Sequence, residues 1–190
     1  MYGHTRVSIY LSNLIISIIV SILCEAIYVI LLLAVGIPLV GGLQMQISQF
    51  LMIILNIILI IISFCSIYNF ISMICTEITI STTICTLLFI AMFIMQAGFG
   101  YIASSTKYIT NTSIDESGNK VVTQEPNPNY PGDQKVRQAK IIYFSIPQGQ
   151  AMEIDNGYSE DLYQMPLYSI TLIIIINTLG LFIFSKKELK

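Results

Sequence analysis

From Val7 to Thr106 the chain runs for one hundred residues with two charged side chains, Glu25 and Glu77. A surface that meets water cannot be built from such a stretch, because a soluble fold has to place charged and polar groups on its outside. A soluble enzyme, a nucleic-acid reader and a disordered tail are therefore excluded. A lipid bilayer is the surrounding that accepts so much apolar surface.

The remaining charges are sorted to either side of this stretch. Arg6 precedes it, thirteen lie between Lys107 and Asp161, and four close the chain. Charged residues make up 11% of the 190, against about 25% in an ordinary soluble domain. The net charge of −2 leaves no basic excess to attract a nucleic acid. Cys24, Cys65, Cys75 and Cys85 fall within or beside apolar runs, in no CxxC spacing, so they are read as small buried residues and no disulfide-stapled outer domain is expected. The sole histidine, His4, has no ligand partners near it in sequence, and neither a metal site nor a cofactor is expected.

A helix that crosses about 30 Å of hydrocarbon needs about 20 apolar residues. Four stretches qualify: 9–35, 50–72, 78–102 and 167–184. The first is too long for a secretory h-region and lacks a small-residue cleavage site. Gly36, Pro38, Gly41 and Gly42 are expected to end it, with a polar turn at Gln44-Met45-Gln46, and a short link around Cys75-Thr76-Glu77 joins the next two. Four crossings put both chain ends on one side. Arg6 and the terminal Lys186, Lys187 and Lys190 mark that side, residues 1–8 and 185–190, as cytoplasmic. The expected fold is an all-α integral membrane protein, with residues 103–166 outside the cell between the third and fourth crossings.

Within that outer segment Asp115 to Asn119 reads as a turn, and three prolines between Pro126 and Pro131 exclude helix. From Asp133 to Ile146 the pattern changes. Val136, Ala139, Ile142, Tyr143 and Ile146 recur at steps of three or four, which predicts an amphipathic helix over 133–146, stopped by Pro147 and Gly149. It either lies in the membrane interface or packs on the small outer element.

Glu25 is the candidate intramembrane functional acid, since an ionised carboxylate costs about 2.5–3.5 kcal/mol at a helix centre on insertion scales. It either serves substrate or proton handling or is tolerated between helices beside Ser21 and Cys24. Asn56, Asn69, Gln96 and Asn177 read as hydrogen-bond donors between helices. Small residues four apart, as in Ser17 and Ser21, Ser81 and Cys85, and Gly100 and Ser104, permit close helix contacts. No GxSxG, HExxH or Walker motif occurs, so no catalytic residue is assigned and any ATP hydrolysis would belong to another chain.

Several stretches, taken in order, resemble one family. The opening Gly3-His4-Thr5-Arg6, followed by Ile9-Tyr10-Leu11-Ser12-Asn13-Leu14-Ile15, looks like the GxxRxxIYLSNLI segment after the cytoplasmic coupling element of bacterial type-2 ABC transporter permeases. Gly36-Ile37-Pro38-Leu39, Pro126-Asn127-Pro128-Asn129-Tyr130, Ile146-Pro147-Gln148-Gly149-Gln150-Ala151, Met165-Pro166-Leu167-Tyr168-Ser169 and the closing Phe184-Ser185-Lys186-Lys187 are similar to further stretches of that family. Thr76-Glu77 stands where the family usually has a basic turn.

The resemblance implies a permease subunit of an ATP-driven exporter in the cell membrane, paired with an ABC ATPase subunit and a second permease copy or homologue. Residues 1–8 would then be a remnant of the coupling element, with Gly3, His4, Thr5 and Arg6 as contacts to the ATPase; Arg6 alone also reads as a plain anchor at the lipid boundary. Members commonly have six spans, so the chain would correspond to the last four, as a truncated product, a fragment or half of a split permease. The rival expectation is a four-span accessory or immunity-type membrane protein that binds through its outer segment and transports nothing.

Overall fold

The computed structural model describes residues 5–41, 45–114, 120–155 and 160–186. Four long helices carry the chain: α1 (Arg6–Val40), α2 (Ile47–Ile74), α3 (Ile78–Ala103) and, after the outer segment, α6 (Met165–Lys186). Each is long and apolar enough to cross a membrane. Between α3 and α6 lie a hairpin of β1 (Tyr108–Ile114) and β2 (Lys120–Pro126), the helices α4 (Asp133–Ser145) and α5 (Pro147–Asp155), and one 3-10 turn, Glu160–Tyr163.

The four expected spans coincide with α1, α2, α3 and α6, each somewhat longer than its apolar run alone. The largest extension corrects the expected stop at Gly36 and Pro38, because α1 continues to Val40 and ends at Gly41. Pro38 lies in the last turn of α1, where the bond it cannot donate and the crowding of its ring against the preceding turn leave few following residues to disturb. In apolar surroundings the backbone satisfies itself best by staying helical. Gly41 then supplies the break with φ 95°, a conformation side chains resist, and its N–H closes on the Ile37 carbonyl at 3.0 Å. The Gln44 part of the expected turn lies outside the described residues. Gln46 caps α2 reciprocally with Gln49, its backbone N–H donating to Gln49 Oε1 at 3.3 Å.

α2 is the central rod, with Asn56, Ile60, Ser63, Cys65, Ser66, Ile67 and Asn69 buried. α1 and α6 flank it, and their ends meet where the Arg6 guanidinium donates to the Ser185 carbonyl at 3.1 Å. Both described chain ends therefore share one end of the bundle, called inner here. α3 stands apart. Its buried residues, Met92, Gln96 and Ala103, all lie in its outer half, and 78–91 contains none.

The antiparallel hairpin, which pairs Tyr108 with Pro126 and Ile114 with Lys120, departs from the all-α expectation; the turn read at Asp115 to Asn119 lies outside the described residues. α4 stops at Ile146 as expected, yet Pro147 also begins α5, since a proline is at ease in a first helical turn where no N–H partner is needed. α4 packs on the outer ends of α3 and α6. Ala139, Tyr143 and Phe144 join Ala103, Leu162 and Met165 in one apolar core, with Met52 and Ile53 against it. Ile142, expected on the apolar face, is 37% exposed, and Phe144 takes the inward position.

Candidate functional site

Polar side chains hold the inner half of the bundle together. Tyr10 is fully buried, and its hydroxyl donates to Asn177 Oδ1 of α6 at 3.2 Å. Asn177 in turn donates to Ser66 Oγ of α2 at 2.8 Å. Asn13 donates to Asn69 Oδ1 at 2.7 Å, and Asn69 reaches back to the Tyr10 carbonyl at 3.5 Å. Tyr10 fits because Gly180 has no side chain; a Cβ there would stand 2.3 Å from its hydroxyl. α1, α2 and α6 are thus locked by directional bonds where apolar contact alone would let helices slide in lipid.

Above this joint α1 and α2 part to form a cleft of about 540 Å³, lined by Ser21, Cys24, Glu25, Tyr28, Phe64 and Tyr68, among others. Cys65 Sγ donates to Ser21 Oγ at 3.4 Å along its edge. The Phe64 and Tyr68 rings stack 17° apart with centroids 5.9 Å distant. Glu25 is half-buried and also borders an apolar recess formed with Ala26, Val29, Ile57 and Ile58. Among the described residues no hydrogen bond or ion pair reaches its carboxylate. Ser21, four residues before it, shares its face as the helical spacing predicts, and Cys24 lines the same cleft.

The outer end carries a second cavity, of about 260 Å³, that sequence reasoning missed. Gln96, Gly100, Lys140, Tyr143, Glu153 and Asp161 line it, drawn from α3, α4, α5 and the 3-10 turn. Lys140 Nζ pairs with Asp161 Oδ2 at 2.7 Å, partly screened from water. Burial, and then the nearby Glu153 charge, push the Tyr143 hydroxyl above its ordinary pKa, while the Gln96 side chain counters. Tyr143 reaches α3 closely because Gly100 is bare: a Cβ there would lie 3.0 Å from the ring. Buried Gln150 of α5 donates to the Phe144 carbonyl at 2.6 Å and accepts from Ser169 Oγ of α6 at 2.6 Å. Asn56 completes the region, donating to the carbonyls of Met52 and Leu162. Its buried Oδ1 has no partner among the described residues.

The expected ATPase contacts are only partly visible. Gly3 and His4 lie outside the described residues. Thr5 caps α1, its Oγ1 accepting from the Ser8 N–H at 3.3 Å, and Arg6 clasps α6 as described. Neither is near Glu25, Tyr28 or the outer cavity, so the sequence-predicted residues form no single site. Of the four expected intramembrane donors, Asn56, Asn69 and Asn177 all bond across elements. The cysteines are a correction: Cys65 alone is buried, Cys24 is exposed and the other two are half-buried. Membrane helices have no water to exclude, so a thiol on their outer face carries no penalty. Among the described residues no group of three His, Cys, Asp or Glu side chains could hold a metal ion.

Four apolar rods of membrane-crossing length, joined through buried polar side chains, define a multi-pass membrane protein. Compared with known proteins, the chain matches no family model, no curated protein and no solved structure.

Proposed function

We propose that the chain is the permease subunit of an ATP-driven ABC exporter, corresponding to the last four spans of such a unit, in the cell membrane with both ends in the cytoplasm. A separate ABC ATPase and a second permease unit complete the pathway. The observation that carries this reading is the inner joint. Tyr10 and Asn13, both from the opening run that resembles the permease family, hold α1 against α2 and α6, while Thr5 and Arg6 stand at the edge of that same end. A push delivered there by a nucleotide-driven partner reaches three helices through bonded side chains, which is what coupling of a two-state bundle requires.

The test is recovery of a nucleotide-hydrolysing subunit with the full chain from native membranes in mild detergent, followed by ATP-dependent export in vesicles. Failure to recover any such subunit overturns the proposal. The outer cavity favours one second reading, an accessory or immunity-type protein that binds a ligand there. Ligand protection without any ATP-dependent flux would select it.

A further inference from the structure

We propose that the cleft between α1 and α2 is a binding site for a hydrophobic organic cation, held by the Glu25 carboxylate and the aromatic rings of Phe64, Tyr68 and Tyr28. Three independent features meet there. The cleft has about 540 Å³ of space and opens on the flank of the bundle, a volume that suits a small molecule with several rings. Its acid has no counter-charge among the described residues, and the nearest described cation along α1, Arg6, is nineteen residues away and turned to Ser185. A carboxylate without a partner in a largely apolar cleft attracts a bound cation more than any neutral ligand. The third feature is aromatic. Phe64 and Tyr68 stack in parallel, and Tyr28 lies across the cleft on α1. Ring faces attract a delocalised cation, more strongly where water is excluded.

The rest of the lining narrows the ligand class. Val20 and Ile61 are apolar, and among the described lining residues Ser21, the thiols of Cys24 and Cys65 and the hydroxyls of Tyr28 and Tyr68 are polar without a formal charge. A small hydrated metal ion would find one carboxylate and no further charged ligand, whereas a bulky cation with its charge spread over apolar substituents fits both the acid and the walls. An anionic or neutral lipophile would forfeit the attraction to Glu25.

The inference deepens the exporter reading by naming a class of cargo, and it rests on that reading only for transport. Binding is therefore measured without any ATPase. The full chain in maltoside micelles is dialysed to equilibrium against labelled tetraphenylphosphonium, with empty micelles as reference. Saturable uptake of about one cation per chain is expected, with no comparable uptake of the isosteric anion tetraphenylborate. Glu25→Gln should weaken phosphonium binding at least about tenfold, Glu25→Asp should hold it within about threefold, and Phe64→Leu should weaken it by about threefold. Elution of each variant as the wild-type species establishes that it has folded. Equal binding by wild type and Glu25→Gln, or uptake of tetraphenylborate as strong as that of the phosphonium, overturns the proposal. So does a Glu25→Gln chain that changes its oligomeric state while binding the cation as before, since Glu25 would then serve a partner helix.

Discussion

Two glycines carry more of this fold than their lack of a side chain advertises. At Gly149 a Cβ would stand 2.1 Å from the Tyr143 carbonyl oxygen, which is backbone at the end of α4 and has nowhere to go. At Gly180 the obstacle is the Tyr10 hydroxyl at 2.3 Å, the end of a side chain that can swing if it gives up Asn177. Gly180→Ala should therefore lower stability by about 1–3 kcal/mol, the usual range for overpacking, and Gly149→Ala by more than about 3 kcal/mol. Thermal unfolding in detergent ranks the two, and an unchanged midpoint for Gly149→Ala would contradict the α4–α5 junction described above. Neither role was legible in the sequence. Gly149 reads there as a helix stop and Gly180 as a small residue in an apolar run, because what makes each indispensable is a tyrosine six residues away in one case and 170 in the other.

Elements differ in how plainly they announce themselves. The four spans are legible because apolar length alone decides them, and α4 because its period is helical. The hairpin is not, since among the strand side chains described none is buried: Tyr108, Ile109 and Val122 are 55%, 42% and 60% exposed, so alternation carries no signal. Such a two-stranded ribbon is marginal alone and depends on its tether. Lys107 pairs with Asp133 at 2.7 Å, Tyr130 donates to the same carboxylate, and Asn127 donates to the Thr106 carbonyl at 2.9 Å. The Lys107 hydrogen bond, then that from Tyr130, hold the Asp133 carboxyl below its usual pKa, and the same contact raises Lys107. The contribution of Asp133 is therefore complete above the unfolded carboxyl value of about 3.9 and is lost as pH falls through the lowered one. That of Lys107 persists until pH rises through its raised value. Hairpin amide shifts should stay constant from neutral pH down to about 4 and move together with the Asp133 carboxyl signal below it. Asp133→Asn should give the low-pH hairpin spectrum at pH 7. Hairpin shifts that ignore the protonation of Asp133 would show that the tether does not hold the ribbon.

At the scale of the whole molecule, the bundle has an inner end where the described chain ends meet at Arg6 and Ser185 and an outer end with α4, α5 and the hairpin. The outer cavity belongs to this scale and could not be read earlier, because its lining runs from Gln96 to Asp161 and only folding gathers it. The proposed orientation makes a direct prediction. In a background without native cysteines, Lys135→Cys should react with a membrane-impermeant maleimide on intact cells. Thr5→Cys and Lys186→Cys should react only after the membrane is opened. Labelling of both Thr5→Cys and Lys186→Cys but not Lys135→Cys on intact cells would invert the orientation, and labelling of only one of Thr5→Cys and Lys186→Cys would break the shared inner end that the Arg6 clasp requires.

The uneven burial of α3 has a mechanical consequence. Clasped by Tyr143 at Gly100 and half-buried at no more than Ser81, Cys85 and Leu88 along residues 78–91, this helix is held more firmly near its outer tip, which would be the fulcrum of any tilt. Gly100 is about 33 Å along the axis from Ile78, so a rotation of about 10° at the fulcrum sweeps the far tip through about 6 Å. A displacement smaller than a bond length where Tyr143 meets Gly100 would be magnified into the width of a side chain at the inner end of α3.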